Sequence, residues 1–412
     1  MNMKLQIKIF SCTLLLFTLV LVGCSAKVPK SEEKAFENWS VVEEAGKDQT
    51  VTILMWGGNE MCNAYMDNTV AASLKEKYNI TLKRVPMNPP EYLNKLINEK
   101  SAGQDIGTAD LLWINAENFS TANQGSLLWG PFDYLLPQLN SVYDINSDDI
   151  VMDTGIKIEG KEAIWGRAQL IITTDSERVV SPPKSYKELL VWAKENPGRF
   201  TYPKLPDDFV GSVFVRSALY ELTAGDDFSG DMTEEEFREK AMPVIDYFKE
   251  LKPYLWREGT AYPASQAQLD ELFRNKEVDF TMGFELGKTA GLVNSGAYPP
   301  TAYGYVFDTG TIGNSHYLAI PFNSPNKAAA LLTIDLLQSP EFQIEKFKPD
   351  VWGDMPAFDT AKLTMEQKEQ LAEIEKTVFP TPLEELYAKR LPELKAQYIN
   401  WMETMWLESM VN

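Results

Sequence analysis

Apolar runs of strand length alternate with amphipathic helical patterns along most of this chain. The first apolar run covers 50–56, a helical pattern follows over about 60–77, and a second run covers 80–85. Another helical pattern, about 90–101, leads to a third run over 109–115. Strands and helices that alternate in this way predict a mostly parallel sheet with helices on both faces.

The same alternation continues through the second half, so the predicted fold class is α/β. A chain of 412 residues exceeds what one hydrophobic core usually supports, and we therefore expect two lobes. The strands predicted here are 168–173, 278–283 and 315–321. The predicted helices are 185–195, 210–223, 266–275, 326–338 and an amphipathic helical tail over 361–412.

The first 24 residues have the layout of a secretory signal. Two lysines precede an apolar run over 13–20 that is too short to span a bilayer comfortably. The sequence Leu-Val-Gly-Cys at 21–24 resembles a bacterial lipobox, in which the cysteine is lipidated and becomes the first mature residue. We expect residues 1–23 to be a lipoprotein signal peptide and Cys24 to be lipidated. An ordinary signal peptide with a chance cysteine is the alternative.

Charge narrows the classes of function. The chain has 59 acidic and 39 basic residues, a net charge of −20 that becomes −22 once residues 1–23 take Lys4 and Lys8 away. Such acidity argues against nucleic acid and against adhesion to anionic lipid through protein charge. We expect an extracytoplasmic protein attached to the membrane through its lipid alone, on the outer face of the cell membrane or in a periplasm.

Few residues are suited to catalysis. Cys12 leaves with the signal and Cys24 would be acylated, so Cys62 has no partner for an internal disulfide. His316 is the single histidine, in mid-strand, where a satisfied core or hinge role is expected. The sequence also has no Walker loop. We expect no enzyme, no metal and no cofactor; a secreted hydrolase would need a nucleophile or an acid pair that the sequence does not show.

Four segments, in order, are similar to the extracellular solute-binding proteins of ABC importers. They are Met-Trp-Gly-Gly at 55–58, the strand at 107–115, the Ser-Pro-Pro segment at 181–190, and the strand and helix at 317–343 that include Leu-Gln-Ser-Pro-Glu. Three further segments, at 113–119, 130–133 and 353–357, resemble an uncharacterised importer branch near the thiamine, polyamine and iron binders.

The resemblance implies a two-lobed periplasmic-binding-protein type 2 fold, each lobe a mixed sheet flanked by helices, with the ligand cleft between the lobes. It also implies a monomer that closes about a hinge around a small-molecule solute and delivers it to an ABC permease served by a separate ATPase. Strands should cross between the lobes near 166–172 and 304–314. The expected divisions are 24–47 (lipidated cysteine, tether and leading helix), 48–168 plus 305–345 (lobe I), 169–304 (lobe II) and 346–412 (C-terminal segment packing on the lobes).

Ligands of open α/β sheets bind beyond the carboxyl ends of the strands. This rule selects Trp56, Gly57, Gly58 and Asn59 after the first predicted strand. Glycines let a ligand approach the backbone, whose amides donate hydrogen bonds. A plain tight turn is the alternative.

The loop after the third strand offers Asn115, Glu117 and Asn118. A carboxylate here suits a cationic ligand, because a desolvated cation needs a counter-charge. Whether Glu117 faces the cleft stays open, and Asn115 as a simple helix cap is the alternative.

Lobe II offers two further loops. Gly211 and Ser212 lie at the start of a predicted helix, whose free N–H groups suit an anionic or polar group. Phe284 and Glu285 follow another strand and combine an aromatic face with a second carboxylate.

Three aromatic residues near predicted strand ends or hinges are candidates for stacking on the ligand: Trp165, Tyr202 and Tyr303. Packing at the hinge is the alternative for Trp165. Aromatic faces bind sugars and cations alike, so these rings do not choose the ligand.

These features together predict a substrate-binding lipoprotein for a small, polar, cationic solute, with thiamine-like and polyamine-like compounds first. A receptor for sugars or oligosaccharides is one alternative. A lipoprotein adaptor that binds a protein partner is the other.

Overall fold

The computed structural model describes residues 36–223 and 227–411, and from Asn38 onward this chain folds as one unit. The predicted signal peptide, Cys24 and most of the tether lie outside the described residues. Within the described ranges, no helix combines the length and the apolar character needed to cross a bilayer.

The strands and helices alternate as the sequence pattern predicts. The strands are β1 (Thr50–Met55), β2 (Thr81–Pro86), β3 (Leu111–Ile114), β4 (Leu128–Trp129), β5 (Met152–Asp153), β6 (Ile156–Lys157), β7 (Glu162–Gln169), β8 (Ile171–Asp175), β9 (Phe280–Gly283), β10 (Ala302–Tyr305), β11 (Thr311–Pro321) and β12 (Arg390–Leu391). The α-helices are α1 (Trp39–Gly46), α2 (Glu60–Ala64), α3 (Ala71–Tyr78), α4 (Pro89–Ser101), α5 (Ala116–Gln124), α6 (Pro137–Val142), α7 (Asp148–Val151), α8 (Tyr186–Glu195), α9 (Phe209–Ser217), α10 (Leu219–Leu222), α11 (Glu234–Leu251), α12 (Gln266–Arg274), α13 (Lys288–Asn294), α14 (Lys327–Gln338), α15 (Pro340–Phe347), α16 (Met365–Val378), α17 (Leu383–Ala388) and α18 (Ala396–Met410). A π-helical segment, Tyr65–Val70, joins α2 to α3, and short 3-10 turns occupy Asp133–Leu135, Lys252–Tyr254, Trp256–Gly259 and Thr360–Lys362.

The larger sheet is mixed. Its order is β12-β11-β3-β1-β2, and β4 and β7 also pair with β11. β1 runs parallel to β2 and β3, whereas β11 runs antiparallel to β3 and β7. Val51, Ile53 and Met55 on one face of β1 have no exposed surface, and Leu54 on the other face is buried as well, because both faces of a central parallel strand are covered.

The smaller sheet, β10-β8-β9, is antiparallel in both of its pairings, which differs from the mixed sheet expected for lobe II. The reason lies in the chain path. β8 continues from β7 and runs away from the larger sheet, whereas β9 and β10 both run back towards it. The end of this sheet that faces the larger one is therefore the pair Ile171 and Gly283.

The chain passes between the two sheets at two places. Leu170 alone separates β7 from β8, so the single strand predicted over 168–173 is in fact parts of two strands. The return runs through 306–310, between β10 and β11. The Leu170 N–H donates to Ile312 O at 3.0 Å and keeps the two passages side by side. The residue limits of the lobes stay predictions.

The C-terminal helix α18 packs against the smaller sheet's helices. Trp406 is fully buried and Trp401 is half-buried against the same core cluster, in agreement with the predicted apolar face. Trp406 Nε1 donates to the Tyr202 hydroxyl at 3.0 Å. This packing fixes the position of Glu403, which lies one turn before Trp406 on the same side of α18.

Candidate functional site

The loop after β1 contacts the loop after β9. Asn59 Nδ2 donates to Glu285 Oε1 at 3.2 Å. Asn59 is also the N-cap of α2, since its Oδ1 accepts from the Cys62 N–H at 3.0 Å. The helix cap fixes the Asn59 side chain. Asn59 and Glu285, both selected from the sequence, therefore contact one another between the larger and the smaller sheet.

Two acceptors beside this contact have no partner in the described part of the chain. One is Glu285 Oε2 and the other is Asn63 Oδ1, and both are buried. The Asn63 amide is anchored on its other side, where Nδ2 donates to Gly57 O at 2.9 Å. An unsatisfied buried acceptor costs about 1–3 kcal/mol, so these atoms mark a place where a ligand donor would be stabilising.

Exposed aromatic rings lie in and beside the same two loops. Trp56 is 45% exposed and its ring lies so close to Gly58 that a Cβ there would collide with it. Phe209, at the start of α9, is 51% exposed and its ring centre lies 5.1 Å from that of Phe284. Gly57 has a packing role, because an added Cβ would lie 2.8 Å from Pro86 Cβ.

The β3–α5 loop has a conformation that the sequence did not reveal. Asn115 and Asn118 are half-buried and Glu117 is exposed. Asn115 holds the N-cap position of α5, yet its side chain makes no capping hydrogen bond. Ala116 has φ +52°, a left-handed conformation that costs roughly 1–2 kcal/mol for a residue with a Cβ.

A buried carboxyl group holds this loop. The Ala116 N–H donates to Asp153 Oδ2. Burial raises the pKa of Asp153 to about 7, against the Ala116 hydrogen bond, and the charges of Glu117 and Glu393 add to the increase. Sequence reasoning missed Asp153, because it lies in the two-residue strand β5, outside every predicted element.

A second buried carboxyl group lies behind Asp153. Glu162 is 2% exposed and neither carboxyl oxygen has a hydrogen-bond partner among the described residues. Burial, with the charge of Asp153 second, raises the pKa of Glu162 well above its usual value. Burial therefore favours the neutral form of the Glu162 side chain.

Helix α18 adds a carboxylate that the sequence analysis did not select. The Ser212 hydroxyl donates to Glu403 Oε1. Burial raises the pKa of Glu403, and repulsion from Glu117 and Glu393 contributes. Glu117 and Glu403 are thus close enough to influence one another, although they belong to different ends of the chain. Arg216 is engaged by Glu393, with Nη2 2.7 Å from Oε2.

The N-terminus of α9 corrects the expectation that free N–H groups hold an anionic or polar group there. Asp208 Oδ1 accepts from the N–H groups of Val210 at 2.9 Å and Gly211 at 3.2 Å. The protein's own carboxylate thus fills the place of an anion. Gly211 serves packing, because a Cβ at this position would collide with Pro203 O.

The three further aromatic residues lie away from the loops that meet. Trp165 and Tyr202 have no exposed surface. The ring of Trp165 packs edge-on against Trp113 at 5.1 Å, which fits the hinge-packing alternative. Tyr303 pairs with Thr174, further from the Ile171 end of the smaller sheet than Tyr305. We leave these three residues out of the proposed site.

His316 lies in a buried polar cluster. Its Nε2 is 3.0 Å from Asp354 Oδ1, and Lys346 Nζ forms an ion pair with Asp354 Oδ2. Burial opposes ionisation of Asp354, but His316 and Lys346 hold the pKa of this carboxyl below its usual value. Across the described residues, no group of three or more His, Cys, Asp or Glu side chains is arranged to hold a metal ion.

The sequence matches the family described as bacterial extracellular solute-binding protein over residues 69–376. It is also 34% identical over 376 residues to Protein YnjB of Escherichia coli (strain K12), covering 90% of this chain and 93% of that protein. The chain therefore belongs to the family of bacterial extracellular solute-binding proteins.

Solved structures share the fold at low identity. An ABC transporter protein from Clostridium perfringens gives a TM-score of 0.61 at 16% identity, covering 88% of this chain and 98% of that one. The spermidine/putrescine ABC transporter substrate-binding protein PotD of Streptococcus pneumoniae gives 0.62 at 14% identity, covering 88% and 99%. Ferric ion-binding protein A of Pasteurella haemolytica gives 0.55 at 14% identity, covering 88% and 96%.

The fold is thus that of the two-lobed type 2 periplasmic binding proteins. Membership of the family makes the protein an extracytoplasmic solute-binding component of an ABC importer, rather than an enzyme. Its partners are a small-molecule ligand and an ABC permease.

Proposed function

We propose that the protein captures a small, polar, cationic solute between the β1 and β3 loops of the larger sheet and the β9 loop of the smaller sheet. The observation that carries this proposal is the position of Glu285. One oxygen of its carboxylate binds Asn59 from the other sheet, and the second is buried without a partner in the described chain. A cation would supply the charge that a desolvated carboxylate lacks.

Other charged side chains around the proposed site also favour a cationic ligand. Glu117 and Glu403 lie close enough to repel one another. The nearby cations already have partners, since Lys288 Nζ lies 2.6 Å from Asp270 Oδ2 and Arg216 is paired with Glu393. Carboxylates of one sign in a partly enclosed space concentrate the negative potential and attract cations.

A thermal-shift panel tests this function. The protein without residues 1–25 would be unfolded and refolded to remove carried ligand, then mixed with thiamine and its phosphates, polyamines, amino acids, sugars and metal ions. A ligand at 100 Kd stabilises the native state by about 2.7 kcal/mol, which raises the melting temperature visibly. We expect cationic compounds in the panel to raise the melting temperature.

Charge-neutral variants sharpen this test. Glu117→Gln should lower the affinity for whichever cation stabilises the wild type by about tenfold or more, the equivalent of about 1.4 kcal/mol. Glu373→Gln is the control, because Glu373 is an exposed partner of Lys376 on α16. Unchanged affinity in both Glu117→Gln and Glu285→Gln would remove the argument for a cation.

One observation favours a sugar as the second candidate ligand. Trp56 of the β1 loop and Phe209, which packs against Phe284 of the β9 loop, present exposed rings, and sugars stack on such faces. A response to neutral sugars, lost in Trp56→Ala and absent for every cation, would select this alternative. A flat panel across all classes would favour an adaptor that binds a protein partner.

We also propose that acyl chains on Cys24 hold a monomeric protein to the membrane. The motif at 21–24 supports this, and each buried CH2 contributes about 0.8 kcal/mol to attachment. Membrane fractions of cells fed a palmitate analogue should contain the labelled protein, and Cys24→Ser should release it. Light scattering on the soluble form would give the mass of one chain.

A further inference from the structure

A small cavity opens beside Glu285, at the end of the smaller sheet that faces the larger one. Its wall includes the side chains of Thr173, Thr281, Lys288 and Thr289 as well as Glu285. Its volume of about 10 Å³ leaves room for roughly one water molecule. Only a very compact chemical group can therefore enter.

The wall of this cavity is rich in acceptors. Thr173 Oγ1 and Thr289 Oγ1 lie 2.6 Å apart and share one hydrogen bond. The Thr281 hydroxyl donates to Asp270 Oδ1 at 2.6 Å. A hydroxyl has one donor and two acceptor positions, so these oxygens keep acceptor capacity after their donors are used. Glu285 contributes the carboxylate of the wall, and its Oε2 is buried without a partner in the described chain.

The cation in the wall is already neutralised. Lys288 Nζ lies 2.6 Å from Asp270 Oδ2, and Asp270 also accepts from the Tyr298 hydroxyl at 2.9 Å. This carboxylate therefore accepts from three side chains, one of which is the Lys288 ammonium group. The negative charge of Glu285 is left as the uncompensated charge beside the cavity.

We infer that this cavity receives a primary ammonium group of the solute, with Glu285 as its counter-ion. The inference rests on the proposed capture of a cation and narrows the class of cation. An –NH3+ group is about the size of a water molecule and donates three hydrogen bonds, which suits one carboxylate oxygen and neighbouring hydroxyl oxygens. A trimethylammonium group or a cationic ring is larger than the space for about one water molecule that this cavity offers. The solute is therefore a primary amine, not a quaternary or ring-borne cation.

The test compares putrescine with its permethylated analogue, hexamethylbutane-1,4-diaminium, which keeps the charge and the carbon spacing. Spermidine and thiamine would be measured beside them by thermal shift and titration calorimetry. We expect putrescine or spermidine to bind, and the permethylated analogue and thiamine to bind at least tenfold more weakly. Glu285→Gln, which keeps an acceptor for Asn59, should lower the affinity for the primary amine at least tenfold. Thr289→Val should lower this affinity several-fold.

The variants have a matched control and separate outcomes. Glu373→Gln, on an exposed helix, should leave every affinity unchanged. Equal binding of putrescine and its permethylated analogue would overturn the inference and leave the capture of cations standing, as would tight binding of thiamine alone. A response to sugars with none to any cation would overturn both. Thr289→Val gives a second measure if Glu285→Gln does not fold, and unchanged amine affinity in Thr289→Val and in folded Glu285→Gln would also overturn the inference.

Discussion

Asn59 Nδ2 and Glu285 Oε1 lie 3.2 Å apart although 226 positions separate them in the sequence. The first residue caps a helix after β1 in the larger sheet, and the second follows β9 in the smaller sheet. The contact uses one carboxylate oxygen of Glu285, whose side chain also lines a water-sized cavity, and the other oxygen is buried without a partner among the described residues. Contact between the sheets and the proposed recognition of a cation therefore depend on the same carboxylate.

Asn59→Asp should open this contact without unfolding α2. The new carboxylate still caps the helix, but it places a negative charge opposite Glu285, and like charges at this distance repel. We expect a larger radius of gyration in X-ray scattering and a melting temperature lower by a few degrees. Asn59→Ser is the matched control, since it keeps a capping oxygen and removes the donor without adding charge. Equal scattering curves for all three proteins would show that the contact does not hold the sheets together.

The strands that line the site were predictable because they are buried along their length. β1 and β9 read as short, largely apolar runs, and the rule that ligands bind beyond strand ends then selected Asn59 after β1 and Glu285 after β9. Both lie at the observed contact. The local sequence is therefore enough to predict a residue of the contact when its position depends only on one strand and the loop that follows it.

Residues supplied by distant parts of the chain were not predictable. Asp153 holds Ala116, and Glu403 binds Ser212 from a helix near the C-terminus. Each depends on packing between elements far apart in sequence, and neither has a signature in its own neighbourhood. The capping of α9 by Asp208 did carry a local signal, an aspartate directly before the helix, which predicts that the helix N-terminus is already occupied.

Stability should fall as the pH rises through the range in which Asp153 ionises. Burial raises its folded pKa to about 7, whereas an unfolded aspartate titrates at about 3.9. Between these values the native state binds more protons than the unfolded state, so the free energy of unfolding decreases with pH. Urea unfolding at pH 5, 6, 7 and 8 should show a fall of about 1–4 kcal/mol from this group.

Asp153→Asn should flatten this pH dependence. The amide oxygen still accepts from the Ala116 N–H, but it does not ionise. The remaining slope should come from Asp335, whose pKa burial raises to about 6, and from Glu162. A slope as steep in Asp153→Asn as in the wild type would show that Asp153 does not ionise in this range.

Asp208→Ala should lower the free energy of unfolding by about 0.5–2 kcal/mol, because it removes the cap of α9. The loss should approach the upper value, since Asp208 Oδ2 also accepts from the Gln266 N–H at 2.8 Å. Asp208→Asn keeps an acceptor and should retain most of the stability. Phosphate should not stabilise the wild type, because the helix N-terminus is filled; marked stabilisation of the wild type by phosphate would contradict this.

Lys346→Met should cost about 3–5 kcal/mol in urea unfolding, because it leaves the buried Asp354 charge without its ammonium partner. Asp354→Asn in the same chain should recover part of the loss, and the difference gives the coupling energy. Lys376→Met breaks an exposed pair with Glu373 and should change stability by less than about 0.5 kcal/mol. Since this cluster lies in the core beside β7 and β11, the folded Lys346→Met protein should bind its solute with unchanged affinity. If the Lys346→Met protein is fully folded and still loses much of its affinity for the solute, the cluster contributes to ligand binding.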